Sequence, residues 1–309
     1  EMSCRIAEKE EIEFRMITLE EDCPEIMHDK IKICAAKKSS FLISHLRLYF
    51  KTLKEFTRDI DIIHVRSYLP MPIALILKRI FGVKVIFDMR GLLPEEHIYL
   101  NNKNTNSLNY KILKYMEKIF VNSADEIIVV SNNFKEYIQN KYVCRDNISV
   151  IYCSANDRQA DIIEKFSEDD FRIKYNVKSN QITIAYVGSF YKYQQIEEII
   201  KFSSDAIESD DIKFLVFTKD QKEDVMILLE RYHISKENVE INYLPTELLT
   251  NHLRYCDYGI IMRSDNILNL VASPIKISEY IMNDMKIIHS GCIGDFDKIL
   301  KEFDCGINI

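Results

Sequence analysis

The sequence is poor in the residues that build linkers, metal clusters and disulfide frameworks. Its 309 residues include only 7 glycines and 6 prolines, which argues against flexible linkers. The 8 cysteines are scattered singly and none forms a CxxC pair. This pattern indicates neither clustered zinc ligands nor the framework of a small secreted domain. We therefore expect reduced, mostly buried thiols in a cytosolic protein.

Long apolar runs and a uniform charge are also lacking. No run approaches the 18 apolar residues of a transmembrane helix, so none is predicted. The net charge of −7 is uneven, because residues 31–120 hold 16 basic and 7 acidic residues while residues 151–309 hold 18 and 27. This asymmetry argues against nucleic-acid binding by the whole chain. It allows one face of the first half to meet an anionic surface.

Short β-branched runs alternate with longer amphipathic segments along the chain. Several of the runs are apolar throughout, which is typical of strands buried on both faces of a parallel sheet. The alternation predicts an α/β fold with two doubly wound, Rossmann-like domains facing a cleft. Strands are predicted at 12–19, 31–35, 60–65, 84–87, 126–130, 148–151, 182–187, 213–217, 239–243, 258–262, 286–289 and 306–309. Helices are predicted at 41–56, 73–80, 108–122, 195–207 and 223–232.

The domain boundary is predicted in a polar stretch between the two strand–helix series. We expect a first domain at 1–158, a linker region at 159–179 and a second domain at 180–309. The chain opens on a helical pattern rather than on Met and stops at a strand-like pattern. We therefore expect that both ends of a larger protein are missing.

The segment SPIKISEY, residues 273–280, is the most informative part of the sequence. Ser273 suits a helix N-cap and Pro274 the first helical position. Lys276 then falls in the first turn, and Glu279 projects from the same face. A helix start with a lysine suits a diphosphate, and the carboxylate suits the paired hydroxyls of a ribose. The alternative is a capped surface helix with an ordinary Lys–Glu pair.

A second candidate phosphate contact follows the predicted strand 182–187. Gly188 would let the backbone approach a phosphate, and Ser189 offers a hydroxyl group. Lys192 lies just beyond. The alternative is a turn that binds no ligand.

These segments resemble the GT-B glycosyltransferases, specifically glycosyltransferase family 4. In the second half the resemblance rests on the segments at 186–189, 253–260, 273–280 and 293–295. In the first half it rests on the segments at 59–64, 87–91 and 124–131. It covers nearly the whole chain, and the chain resembles the branch that often builds bacterial capsule, O-antigen or exopolysaccharide. It implies that an opening strand and final helices are missing.

The resemblance implies transfer of a sugar from a nucleotide-sugar donor, with retention, without a required metal and with no cofactor, since the nucleotide-sugar is a substrate. It implies that Glu279 accepts from the ribose hydroxyls. Lys276 and the helix start at Ser273 would hold the diphosphate and stabilise it as it leaves, and Gly188 and Ser189 would line the phosphate path.

The sequence departs from the family pattern at two places. Many members have two glutamates in this region, of which the second matches Glu279 and the first falls at Val271. Asn269, Asp265 or Arg263 are the candidate substitutes. Members often also carry an arginine near the position of Gly188, where Ser189 and Phe190 stand instead, and Lys192 is the candidate replacement there.

The predicted acceptor side lies in the first domain, after the strand at 84–87. Arg90, beside Asp88, can bind a phosphate or carboxylate with two parallel hydrogen bonds. Glu95 or Glu96 can take the proton of an acceptor hydroxyl or bind sugar hydroxyls. The alternatives are an internal Asp–Arg pair and a solvated Glu pair. We interpret His97 as a loop residue, and His64 as structural.

Residues 37–58 are both apolar and basic, which allows this segment to lie on an anionic membrane surface. The alternative is a packed helix with a cationic outer face. Acceptors in the similar branch are often lipid-linked sugars, so peripheral attachment at the inner face of the membrane is expected.

Three functions remain open at this point. The first is a retaining glycosyltransferase. The second is a catalytically silent nucleotide-binding module that keeps the fold, which Val271 would favour. The third is a nucleotide-sugar epimerase of the same architecture, for which we expect a denser set of His and Glu.

Overall fold

The computed structural model describes residues 12–20, 31–37, 40–142, 146–155, 166–208, 211–220 and 222–309. The helical pattern predicted at the start and residues 159–165 of the predicted linker lie outside this part. The strands are β1 (Phe14–Glu20), β2 (Ile31–Lys37), β3 (Ile62–Arg66), β4 (Lys84–Met89), β5 (Glu126–Val129), β6 (Ile148–Val150), β7 (Ile182–Val187), β8 (Ile212–Phe217), β9 (Val239–Asn242), β10 (Tyr258–Ile261), β11 (Lys286–His289) and β12 (Gly306–Asn308).

Helices alternate with these strands, as the sequence pattern predicts. They are α1 (Phe41–Glu55), α2 (Met71–Phe81), α3 (Leu93–Leu100), α4 (Leu108–Ser123), α5 (Asn132–Lys141), α6 (Glu168–Tyr175), α7 (Ile196–Glu208), α8 (Lys222–Arg231), α9 (Thr246–Leu253), α10 (Ile267–Leu270), α11 (Ile275–Met282) and α12 (Phe296–Glu302). Short 3-10 turns lie at Lys192–Gln194 and Lys236–Asn238.

The chain divides into two compact units. The first comprises residues up to Pro94, Asn104–Ile128 and Lys141–Ser149, and the second comprises Glu95–Lys103, Val129–Asn140 and Val150–Ile309. Within the segment predicted as a linker, residues 168–175 form α6. Its Phe171 and Tyr175 are buried in the core of the second unit.

The first unit contains a parallel pair, β1–β2, and strands of the four-stranded sheet ordered β3-β4-β5-β6. Strands β3 and β4 pair in parallel. A parallel pair needs a crossover connection, and α2 provides it. Its Ile73 and Leu77 are buried together with Val83, and Tyr49 and Phe56 pack against them.

The second unit is built on a six-stranded parallel sheet ordered β12-β11-β10-β7-β8-β9. Buried apolar clusters cover both faces of this sheet, which explains why its strands read as continuous apolar runs. The chain proceeds from β7 outward to β9 and then returns to the other side of β7 with β10. The strand order therefore reverses between β7 and β10, the point where ligands bind in open α/β sheets. Parallel sheets and doubly wound topology confirm the predicted fold class.

Among the described residues, no helix combines the length and the apolar character needed to cross a bilayer.

Candidate functional site

The reversal of strand order brings two predicted site residues to one end of the sheet. Gly188 directly follows β7, and Arg263 lies two residues after the end of β10. Since β7 and β10 are parallel neighbours, their carboxyl ends lie side by side. The loop after β10 then leads through α10 to α11, which carries the SPIKISEY residues.

Tyr280 anchors α11 to this end of the sheet. Its ring is fully buried against Gly259 of β10, where an added Cβ would overlap the ring. Its hydroxyl oxygen accepts a hydrogen bond from the backbone N–H of Val187 at 3.1 Å. Residues four apart lie on one helical face, so the Tyr280 anchor turns Lys276 toward the end of β7.

Lys276 is a buried cation whose one described hydrogen bond is to a neutral partner. Its Nζ donates to Oε1 of Gln194 at 2.7 Å and lies 4.8 Å from the centre of the Tyr186 ring. Burial, and next the positive charge of Arg263, lower the pKa of Lys276 to about 7, although Glu279 acts in the opposite direction. The alternative of an ordinary surface helix is therefore wrong, since this lysine is only 8% exposed.

Gly188 is required by its position beside Lys276. A Cβ at residue 188 would overlap the Nζ and lie 2.7 Å from the Cε of Lys276. The φ of Gly188 is +147°, a conformation that residues with a side chain rarely adopt. The glycine therefore opens the space that the lysine tip occupies, and its backbone faces the cation.

Arg263 is a second buried cation at this site. Its Nη1 donates to the carbonyl oxygen of Tyr193 at 3.0 Å, and its guanidinium lies 5.1 Å from the centre of the Tyr193 ring. Its Nε is buried with no hydrogen-bond partner within the described chain, and burial lowers the pKa of Arg263. Neither Arg263 nor Lys276 forms an ion pair with a described carboxylate, so the pair has an uncompensated charge that an anionic ligand would balance.

Glu279 is half-buried one turn after Lys276. Burial raises the pKa of Glu279, and the neighbouring Lys276 opposes this shift. Within the part of the chain that the structure describes, the carboxylate forms neither a hydrogen bond nor an ion pair. The backbone carbonyl of Glu279 accepts from Nδ2 of Asn283 at 2.8 Å. The carboxylate is therefore available to accept from hydroxyl groups of a ligand.

The prediction that Ser273 caps the helix is wrong. The helix begins at Ile275, and the N-cap position is occupied by Pro274 without a side-chain cap. The Ser273 hydroxyl oxygen instead accepts from the backbone N–H of Cys153 at 3.0 Å, while Ser278 donates to the Cys153 carbonyl at 3.2 Å. A backbone segment distant in sequence thus competes successfully for the hydroxyl. The first N–H groups of α11 receive no side-chain cap.

Val271 and its three candidate substitutes have different environments. Val271 is 2% exposed, and its carbonyl accepts from the Ser131 hydroxyl at 2.7 Å. Asn269 is also buried, and its Nδ2 donates to the Ser264 carbonyl at 2.8 Å, so its amide already holds its own loop. Asp265 is exposed. Arg263 is therefore the candidate that shares the surroundings of Lys276.

The turn after β7 is ordered by its own contacts. The carbonyl of Ser189 accepts from the Tyr186 hydroxyl at 2.7 Å, and the N–H of Phe190 donates to the carboxylate of Asp220. The side chain of Lys192 lies outside the described part of the chain, so the structure does not locate its charge.

Four residues of the site were not identified from the sequence. Gln194, Tyr186 and Tyr193 contact the two cations, and Asp295 joins the loop after β11 to the start of α5. The Asp295 carboxylate accepts from the N–H groups of Asn132 and Asn133 at 2.6 and 3.0 Å and from the Tyr152 hydroxyl at 2.6 Å.

Burial opposes ionisation of Asp295, but these hydrogen bonds outweigh it and lower the pKa of Asp295. The carboxylate thus caps α5 from a distant part of the sequence. The sequence signal for Asp295 is its place in the segment 293–295, which is one of the segments that carry the family resemblance.

In the first unit, Asp88 and Arg90 come together at the end of β4. Asp88 is buried, with its carboxylate 3.8 Å from Nη1 of Arg90 and 3.4 Å from Nε2 of His64. This agrees with the alternative of an internal Asp–Arg pair. The Arg90 side chain is 34% exposed, so part of the guanidinium faces solvent.

In the second unit, α3 carries the predicted glutamate pair. Glu95 is buried and accepts from the Tyr137 hydroxyl at 3.0 Å, whereas Glu96 is exposed. The interpretation of His97 as a loop residue is wrong, because it lies within α3. As far as the chain is described, no three or more His, Cys, Asp or Glu side chains are grouped for a metal ion.

Comparisons with known proteins concern the family and the fold. Residues 8–159 match the sequence profile of Glycosyltransferase Family 4. An uncharacterized glycosyltransferase of Methanocaldococcus jannaschii is 27% identical over 196 residues, which are 62% of this chain and 44% of that relative. The matched region thus spans less than half the length of that protein.

Solved structures show the fold. Sucrose-phosphate synthase from Thermosynechococcus elongatus superposes with a TM-score of 0.71 at 14% identity, over 96% of this chain and 75% of that one. WaaG, a glycosyltransferase involved in lipopolysaccharide biosynthesis, gives 0.69 at 15% identity over 99% and 80%. Anabaena HepE in complex with UDP-glucose gives 0.65 at 11% identity over 92% and 82%. The first half of the chain is thus similar to Glycosyltransferase Family 4, and nearly the whole chain has the GT-B fold of these solved glycosyltransferases.

Proposed function

We propose that this protein transfers a sugar from a nucleotide-sugar donor to a saccharide or lipid-linked saccharide acceptor, with retention and without a metal ion. The observation that carries the proposal is the pair of buried cations, Lys276 and Arg263, beside the Gly188 backbone, since neither forms an ion pair with a described carboxylate. A donor diphosphate supplies the missing negative charge. The UDP-glucose bound by HepE is a donor of this chemical class.

The donor-site residues would act mainly on the leaving group. When the bond between the anomeric carbon and the diphosphate oxygen breaks, negative charge grows on the diphosphate. Lys276 and Arg263 stabilise that charge in surroundings with little water, where electrostatic interactions are strong. The acceptor oxygen forms the new bond to the anomeric carbon and loses its proton.

Further contacts of the donor would come from the rest of the site. The backbone at Gly188, the Ser189 hydroxyl, and Ser273 and Pro274 just before α11 would line the phosphate site. Glu279 accepts from the ribose hydroxyls. The remaining donor-binding candidates are Lys192 and Asn269.

On the acceptor side we propose roles for four residues. Arg90, oriented by Asp88, binds an anionic group of a substrate, and its partly exposed guanidinium supports this role. Glu95 or Glu96 binds sugar hydroxyls or accepts the acceptor proton. We propose a role in capsule, O-antigen or exopolysaccharide synthesis in the cytoplasm at the membrane. The involvement of WaaG in lipopolysaccharide biosynthesis supports this class of pathway.

A thermal-shift panel of nucleotide diphosphates and nucleotide sugars tests the donor site, because a bound ligand raises the melting temperature by mass action. We expect one class of nucleotide sugars to raise the melting temperature of the wild type. The same ligands should raise the melting temperature less in Lys276→Ala and in Glu279→Ala. Lys286→Ala, an exposed lysine on β11, is the matched control. Unchanged shifts in both site variants would remove the assignment.

A catalytically silent nucleotide-binding module is the second candidate. It is favoured by Val271, whose buried side chain stands where many relatives carry a sugar-binding glutamate. Donor hydrolysis separates the two functions. A silent module raises its melting temperature with the nucleotide sugar and releases no sugar, whereas a transferase releases sugar slowly to water even without its acceptor.

A further inference from the structure

Residues 270–273, which end α10 and lead to α11, are held by hydrogen bonds from the start of α5. The Ser131 hydroxyl, just before α5, donates to the carbonyl of Val271 at 2.7 Å. Nδ2 of Asn133 donates to the carbonyl of Leu270 at 3.2 Å. These partners are 140 and 137 positions apart in the sequence, and all of them belong to the second unit. We call residues 270–273 the 270–273 segment.

The loop after β11 contacts both this segment and α5. A Cβ at Gly294 would overlap the carbonyl oxygen of Ala272, so the backbone of the loop packs directly on the 270–273 segment. The next residue, Asp295, accepts from the first two N–H groups of α5 at 2.6 and 3.0 Å. The segment, the loop and the start of α5 therefore form one packed group.

Ser131 joins α5 to the segment through a single hydroxyl group. Its hydroxyl oxygen accepts from the N–H of Phe134 at 3.0 Å while its proton is donated to the carbonyl of Val271. The same group thus caps α5 and holds the segment. Ser131 is fully buried, so an effect of this residue on a ligand has to act through the segment.

The 270–273 segment determines where α11 begins. Ser273, its last residue, also accepts from the N–H of Cys153 at 3.0 Å, and α11 begins two residues later at Ile275. Near the other end of α11, the hydroxyl oxygen of Tyr280 accepts from the N–H of Val187. The helix is therefore held at both ends, by the segment and by the end of β7.

Lys276 tolerates little displacement of α11. Its Nζ donates to Oε1 of Gln194 at 2.7 Å and packs so closely on Gly188 that an added Cβ would overlap it. A shift of about 1 Å in the helix breaks the hydrogen bond or presses the lysine onto the backbone. Misplacement of a functional group by about 1 Å can cost about a hundredfold in rate. The hold on the segment is therefore a hold on the lysine.

We propose that Ser131 and Asn133 are positioning residues for the donor diphosphate. From the start of α5 they hold the 270–273 segment, and through it they set the position of α11 and of Lys276. Both act through the segment rather than on the diphosphate itself. The role in sugar transfer rests on the proposed function, whereas the control of the lysine does not.

A first test needs no ligand. Competitive labelling of lysines with acetic anhydride over a range of pH, read by mass spectrometry, measures the pKa of Lys276 in the full 309-residue chain. Burial first, and Arg263 second, lower this pKa to about 7, so a displaced α11 that admits water to the lysine should raise it. We expect a rise of about one pH unit in Ser131→Ala and a smaller rise in Asn133→Ala.

Two matched variants control for a purely structural role. Ser167→Ala removes an N-cap of the same chemistry from α6, where the hydroxyl accepts from the N–H of Asp170 at 3.1 Å. Asn132→Ala removes the neighbouring side chain of α5, which donates to the Tyr152 hydroxyl at 2.7 Å and not to the segment. A cap that only stabilises its helix lowers the melting temperature and leaves the pKa of Lys276 unchanged, so both controls should keep the wild-type pKa.

Titration calorimetry with UDP, GDP, ADP and dTDP gives the second readout. For a nucleotide that binds the wild type, Ser131→Ala should raise the Kd about tenfold and Asn133→Ala about threefold, which correspond to the loss of one hydrogen bond each. The two controls should stay within about twofold of the wild type. Asn133→Ala retains the backbone N–H that Asp295 accepts from, so it carries the test alone where Ser131→Ala fails to fold.

The outcomes separate this inference from the proposed function. An unchanged pKa of Lys276 in both Ser131→Ala and Asn133→Ala overturns the positioning role, and so do changes of equal size in the two controls. A raised pKa in these variants, in a protein whose wild type binds none of the four nucleotides, supports the positioning of the lysine and removes the proposed donor site instead.

Discussion

The affinity for a nucleotide sugar should fall as the pH rises through the pKa of Lys276. Burial first, and Arg263 second, lower this pKa to about 7, so much of the lysine is neutral in the free protein just above neutral pH. A bound diphosphate stabilises the ammonium form, and binding above this pH must take up a proton. Each further pH unit then costs about 1.4 kcal/mol, which is a tenfold loss of affinity.

Titration calorimetry with the nucleotide sugar of largest thermal shift measures this effect. The diphosphate of a sugar nucleotide is a diester that does not titrate near neutral pH, so the protein supplies the slope. We expect a flat Kd below about pH 7 and a Kd about a hundredfold higher at about pH 9. Proton uptake should appear as a dependence of the binding heat on the buffer.

Two variants control this experiment. Lys276→Met keeps the length of the side chain and removes the titration, so its Kd should be weak and nearly independent of pH. Glu279→Gln should keep the slope, because Glu279 acts on the lysine only through its charge. A Kd of the wild type that stays constant from neutral to alkaline pH, or a slope that persists in Lys276→Met, would refute the reasoning.

Three further predictions concern stability. Gly188→Ala should lower the free energy of unfolding by about 1–3 kcal/mol in urea titrations, and by more than Gly82→Ala, which has a positive φ but open space around it. Asp295→Asn should cost about 1–2 kcal/mol near neutral pH. Because the native pKa of Asp295 is lowered, its contribution is present above the unfolded pKa and is lost as the pH falls through the native value, so a difference that persists in acid would contradict the capping role. Burial lowers the pKa of His252 from 6.5 to about 4. Stability should therefore fall by about 1–3 kcal/mol as the pH drops across that window, and His252→Asn should remove the dependence; an identical acid profile for this variant would exclude His252 as its origin.

Much of the fold could be predicted because its signals are local. The strands β7 and β11 have the bounds that the apolar runs indicate, and the other strands differ by one or two residues at one end or both. A continuous apolar run that breaks at a polar or glycine residue marks a buried strand without reference to the rest of the chain. Periodicity likewise located α1, α2, α4, α7 and α8.

Predictions that depended on distant partners succeeded less often. Ser273 has the right chemistry for an N-cap, but its hydroxyl is engaged by Cys153, a residue 120 positions away. His97 is predicted in a loop but lies within the short helix α3. The local sequence allows more than one hydrogen-bond partner or conformation for such a residue, and contacts with distant residues determine which one it adopts.

The environment of Lys276 shows the same limit for the site. Its spacing from Glu279 follows from helix geometry, and the sequence alone suggested a diphosphate. The sequence did not show that Gln194, Tyr186 and Arg263 surround the lysine, because these residues come from different strands and loops of the second unit. Its lowered pKa follows from that enclosure.

The order of the amino acids was enough to predict the alternation of strands and helices, the positive character of residues 31–120 and the position of Lys276 and Glu279 on one helical turn. Which side chains are buried, which cations form no ion pair and which apolar side chains of α1, α2 and α4 are exposed became known only from the folded chain. Burial and charge compensation depend on strand order and helix packing. These bring together residues far apart in the chain.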